Sequence, residues 1–197
     1  MEKISLTYFV DFVLKAGTPK LTGVREFKER KDDLSFDFYR QIREAIVDMH
    51  RSNKPDAVLD EFLAAQRDER RRRVYPSIVA GYRKFLESAK MTWFEPPVGT
   101  HRLGDLDINI NPDLGLVIDG KPHLIKIYFR GEPLSGKRTS VVLNLLAGGL
   151  AESNPGKVLA LLDVRNAKLH TFKGLNPRLG VLLRGEAASF STIYASI

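Results

Sequence analysis

The pair Asp119-Gly120 separates two apolar segments, a short run following Asn111-Pro112-Asp113 and the stretch Leu124-Ile125-Lys126-Ile127-Tyr128-Phe129. Asp-Gly between apolar runs is a strong hairpin signal, because a type I′ turn needs two consecutive residues that tolerate positive φ. A two-residue turn fixes the register: Ile118 faces Lys121, Gly115 faces Leu124, and Asp113 faces Lys126. Residues directly opposite in an antiparallel pair share a face of the sheet, so a carboxylate and an ammonium are set side by side on an otherwise apolar hairpin. A three-residue turn would shift the register by one and separate them.

Pro112-Asp113 at the head of one strand, a hairpin, and Lys126 on the next resembles the PD-(D/E)XK nuclease superfamily, over roughly residues 101–172. Leu124 stands where that family carries its second acid, a departure at a metal ligand. The resemblance implies a restriction-endonuclease-like α+β fold, in which an N-terminal helical layer precedes a small mixed sheet flanked by helices. It implies Asp113 and Lys126 as the catalytic pair, Mg2+ or Mn2+ as the cofactor of an active enzyme, and DNA or RNA as the partner, in nucleic-acid metabolism or defence. Such a cation activates water and shields developing charge, and the lysine orients the water or stabilises charge on the phosphate. The metal would be held by Asp113, with Asp107 on an adjacent strand and Glu87 on the helix before the sheet as candidates for the missing acid. Asp119 and Glu132 lie too far along the hairpin, Asp119 by some 20 Å at about 3.3 Å per residue. With Leu124 in place, the resemblance points to a weak phosphodiesterase or an inactive descendant, with a protein-interaction module as the alternative.

The net charge of +7 and a sequence pI near 9.6 favour polyanionic partners. There is no cysteine, which removes disulfides, thiolate metal sites and thiol nucleophiles together. No run approaches the ~18–20 apolar residues of a membrane span, and Ile4 to Leu14 is interrupted by Asp11 with no cleavage pattern after it. The expectation is a soluble, cytoplasmic protein with no membrane partner; the sequence leaves its oligomeric state open.

Residues 1–95 have a helical texture and 96–197 the texture of the α+β core, with Glu95-Pro96-Pro97-Val98-Gly99 as the junction, and the expectation is one compact unit. Ser5 or Thr7 caps a helix through Lys15, a weaker helix covers Lys20 to Arg30, and Ser35 opens a clearer one carrying Phe38, Ile42, Ile46 and Met49. Val58 to Leu63 and Ile78 to Leu86 repeat the helical period, with Pro76 in a first turn or at a kink. Leu106, Ile108 and Ile110 alternate with Asp105, Asp107, Asn109 and Asn111, as a half-wet edge strand would. A helix from about Arg138 to Glu152, strands over Val158–Val164 and Ala167–Phe172, and a last helix opened by Asn176-Pro177 complete the order.

Candidate phosphate contacts are Arg70, Arg71, Arg72 and Arg73, aided by Arg67, Arg83 and Lys84, together with Lys137 and Arg138 at a helix start. On a helix the four-arginine run points several ways and does not form one stripe. Gly131 to Arg138 nearly matches a phosphate-binding P-loop, but Arg138 replaces the hydroxyl residue that would hold magnesium, and the strand before it belongs to an antiparallel hairpin. Nucleotide hydrolysis is set aside on those grounds. Each candidate also has an ordinary role. The Asp113–Lys126 pair can be a cross-strand salt bridge worth about 0.2–1 kcal/mol, the arginines a solvated face, His123 a local hydrogen-bonding group, and Trp93, Phe94 and Tyr128 core.

Overall fold

The computed structural model describes residues 2–29 and 37–197; Ser35 and Arg30 lie outside them. Two mixed sheets are flanked by helices, an α+β architecture. The chain opens with β1 (Glu2–Ser5), α1 (Leu6–Leu14), α2 (Thr18–Glu29), α3 (Arg40–Arg51), α4 (Val58–Ala64) and α5 (Glu69–Leu86). It continues through β2 (Met91–Phe94), β3 (Gly99–Leu103), β4 (Leu106–Ile110), β5 (Leu114–Ile118) and β6 (Lys121–Tyr128). Last come α6 (Gly136–Leu150), β7 (Val158–Asp163), β8 (Lys168–Thr171) and α7 (Pro177–Ser196). No helix among the described residues is long and apolar enough to cross a membrane.

Short polar side chains set several helix starts by taking an orphan amide of the first turn. Ser5 accepts from the Tyr8 amide, Asp68 from Arg71, Ser135 from Arg138, and Asn176 from both Arg178 and Leu179. Pro76 sits inside α5 on its exposed side, so the first-turn alternative does not apply.

The larger sheet runs β2-β5-β6-β7-β8 and separates two hydrophobic cores. Leu114, Leu116, Ile125, Ile127, Ala160 and Leu162 pack with α3, α4 and α5 on one face. Leu124, Tyr128, Leu159 and Leu161 pack on the other with α1, α6 and the smaller sheet, β1-β4-β3. Alternate residues of β6 and β7 feed opposite cores, as the pleat requires.

Three sequence expectations change. Glu2–Ser5 is a strand parallel to β4, and β2 joins the edge of the larger sheet, so residues 1–95 are not wholly helical. Alongside this, and with no change to what the sequence implies, both cores draw residues from either side of the 95–99 junction. The strand holding Asp107 is the centre of its sheet rather than an edge, because β1 covers the side that the sequence left open. Finally, β6 pairs antiparallel with β5 and parallel with β7 through the α6 crossover, so a parallel pair does exist beside the P-loop-like segment.

Candidate functional site

The hairpin turn is built as its sequence dictates. Asp119 and Gly120 have φ of 47° and 80°, and Ile118 pairs with Lys121, Gly115 with Leu124 and Leu114 with Ile125. Regular pairing with β6 then stops. The Asp113 amide donates to the Ile125 carbonyl at 2.8 Å, and the Asp113 side chain takes over from backbone. One carboxylate oxygen accepts from the Ile127 amide at 2.7 Å and the other from the Lys126 ammonium at 2.9 Å. Ile127 N–H points to the side of β6 that β5 has vacated, so the carboxylate completes the strand edge where a backbone carbonyl is missing.

A second cation arrives from the helical layer and meets the carboxylate as an ion pair, without a hydrogen bond. The Arg43 Nε on α3 stands 3.3 Å from the same oxygen that meets Lys126, its guanidinium lies over the Phe129 ring, and Tyr39 stacks on that ring. Burial works against the charge on Arg43, but Asp113 and Asp37 outweigh it and raise its pKa. Lys126 also donates to the Asn111 carbonyl at 2.9 Å. The Asp113 side chain is 3% exposed and that of Lys126 9%. Two cations therefore enclose one buried carboxylate, with neither oxygen left free of a donor.

The other candidate ligands stand elsewhere. Asp107 lies on the smaller sheet opposite Arg102, whose Nε donates to it at 2.9 Å; that hydrogen bond holds the Asp107 carboxyl below its usual pKa. Glu87 caps the C-terminus of α5, a turn before Lys90, whose carbonyl takes the Asp119 amide at the far end of the hairpin. Leu124 is fully buried in the core shared with α6. Among the described residues no group of three His, Asp or Glu side chains is placed to hold an ion. The donors around Asp113 do not fit magnesium or manganese: such an ion needs several hard oxygens, and here one carboxylate and one carbonyl face two cationic side chains.

The basic candidates divide as well. Arg138 donates to Asp11 at 2.8 Å and lies over Tyr128, while Lys137 is exposed in the first turn of α6. Arg83 is held by Asp56 and Asp60. In the four-arginine run Arg71 turns inward toward Tyr75, and Arg70, Arg72 and Arg73 are exposed, with Arg70 over the Phe38 ring. His123 bonds the Lys121 carbonyl, Tyr128 is buried, and Trp93 and Phe94 are half-buried.

Sequence reasoning missed Arg43 and Arg165. Arg43 lies on a helix far earlier in the chain, and nothing local ties it to Asp113. Arg165 follows an apolar strand and looks like a turn residue, yet it donates to the Phe129 carbonyl at 3.0 Å and to Ser77 Oγ at 2.7 Å, joining the sheet end to α5.

A scan of protein-family models and a search of curated proteins match nothing to this chain. Fold and site therefore define it only as an α+β protein with a buried acid–lysine–arginine cluster at the end of its central hairpin.

Proposed function

We propose that this chain is a PD-(D/E)XK-like protein that has lost metal-dependent cleavage and acts by binding DNA or RNA. One observation carries the reading: Asp113 and Lys126 sit together on the hairpin as the resemblance requires, but the carboxylate is spent on Lys126, Ile127 and Arg43 while Leu124 fills the second acid's place. A carboxylate so enclosed serves as a structural counter-ion, and burying it without those donors would be far more costly than leaving it in water. The net charge of +7 then supplies the attraction to a phosphate backbone.

Labelled DNA and RNA, single- and double-stranded, incubated with the protein and magnesium or manganese and then resolved on native and denaturing gels, test this. The expected result is a salt-sensitive shift of intact strands. Cleavage abolished by Asp113→Ala would overturn the loss of catalysis, and no shift at low salt would overturn the binding. A protein-interaction role has its own support in Leu175, just before α7, and in Val181 and Leu182 near its start, all of them exposed, and it is the reading left if no nucleic acid binds.

A further inference from the structure

We infer that the nucleic-acid backbone lies along one side of α5, on a track made by Arg70, Arg73 and Lys84 and continued by Arg165. The inference rests on the nucleic-acid-binding reading above and specifies where that binding occurs. At 100° per residue, positions 70, 73, 77 and 84 fall within about 60° of one another on a helix. The four-arginine run does fan out, as its sequence implies, but two of its members share a side with Ser77 and Lys84.

The structure shows what lies against that side. Arg165 donates to Ser77 Oγ at 2.7 Å, and the backbone of Val164 and Arg165 presses on Gly81, where an added Cβ would come within 2.1 Å of the Val164 carbonyl oxygen. The bond to Phe129 O fixes Arg165 from its other flank. These two contacts use only part of the donor fork of a guanidinium, which suits it to phosphate.

Charge along the track has one sign. Among the described residues, none of Arg70, Arg73, Lys84 and Arg165 forms an ion pair with an acid. The neighbouring acids Asp56 and Asp60 are occupied by Arg83, about 100° round the helix from Lys84. Arg70 is oriented by its seat over Phe38, 4.6 Å from the ring centre. From Arg70 to Lys84 the stripe is about 21 Å long at 1.5 Å per residue, a length that spans about six phosphates of one strand at 3.4 Å rise. Length and unbroken positive charge fit a phosphate backbone and supply no means of reading bases, so binding along it is sequence-tolerant.

The test compares salt dependence. Fluorescence anisotropy of labelled duplex DNA, duplex RNA and single-stranded oligonucleotides is followed across a salt series for the wild type, for Arg70→Gln/Arg73→Gln/Lys84→Gln, and for Lys15→Gln/Lys121→Gln/Lys173→Gln, which removes equal charge elsewhere. The track variant should bind duplex with a log–log salt slope shallower by about 2–3, since each phosphate contact contributes about 0.9, while the control keeps the wild-type slope. The three positions are on the surface, so circular dichroism should show both triple variants folded; Arg165→Gln alone should lower the slope by about 1. An unchanged slope in the track variant, or equal losses in track and control, would overturn the track while leaving nucleic-acid binding intact. Absence of binding by the wild type to every probe would overturn both.

Discussion

The Asp113 carboxylate meets the Lys126 ammonium at 2.9 Å across the mouth of the hairpin, and the same carboxylate closes the edge of the neighbouring strand through the Ile127 amide. A feature that resembles a catalytic pair thus does the work of a missing stretch of backbone. The dependence between the two residues is asymmetric, because Asp113 has a second cation in Arg43 whereas Lys126 has no other carboxylate among the described residues.

That asymmetry fixes the order of two substitutions. Asp113→Ala strands Lys126 and the Ile127 amide in the interior and should destabilise the protein by about 3–5 kcal/mol, the range for breaking a buried ion pair from one side. Lys126→Met keeps the volume and leaves Asp113 bonded to Ile127 and beside Arg43, so it should lose about 1–3 kcal/mol. Urea unfolding of both variants and of the double variant measures the coupling. A larger loss for Lys126→Met than for Asp113→Ala would contradict the arrangement.

Two glycines with opposite surroundings give a second check. An added Cβ on Gly81 would lie 2.1 Å from the Val164 carbonyl oxygen, so Gly81→Ala must push α5 off the end of the sheet. The expected loss of about 1–3 kcal/mol exceeds the ~1 kcal/mol gained in helix propensity. Gly185 on α7 has nothing within 4 Å of that position, and Gly185→Ala should stabilise by about 0.5–1 kcal/mol. Denaturant midpoints of the two variants should move in opposite directions.

Stability should fall with acid through His50. Burial pushes its ring down to about 4 from the ordinary 6.5, and its Nε2 is held by the Tyr82 hydroxyl. Between those values the unfolded ring takes a proton that the folded ring refuses, so stability is fully present above about pH 6.5 and is lost as pH drops toward 4. His101 is lowered in the same direction, chiefly by burial. In His50→Gln the loss of stability between pH 7 and pH 5 should become shallower without vanishing. An unchanged pH profile would show that His50 is not buried in its neutral form.

The hairpin was legible because one dipeptide fixes both turn type and register, and with them the Asp113–Lys126 contact. The caps at Ser5 and Asn176 were legible for a similar reason: side chain and amide are close in sequence. What escaped depends on partners distant in the chain. Glu2–Ser5 is too short to announce a strand and becomes one by lying along β4, which in turn makes Asp107 part of a central strand paired with Arg102. The parallel partnership of β6 and β7 was hidden by the stronger antiparallel signal on the other edge of β6. Arg43 and Arg165 carry no local mark of their roles, since one contacts Asp113 from α3 and the other ties the sheet end to Ser77 on α5.

Thermal unfolding of the wild type with and without manganese asks most directly whether Asp113 is a counter-ion or a ligand. An ion that binds the native state must raise the melting temperature in proportion to its affinity. With both carboxylate oxygens engaged by donors and Leu124 at the second acid's position, the expected result is the same melting temperature at every manganese concentration. A manganese-dependent rise in the wild type that disappears in a folded Asp113→Asn variant would contradict this and return the site to metal chemistry.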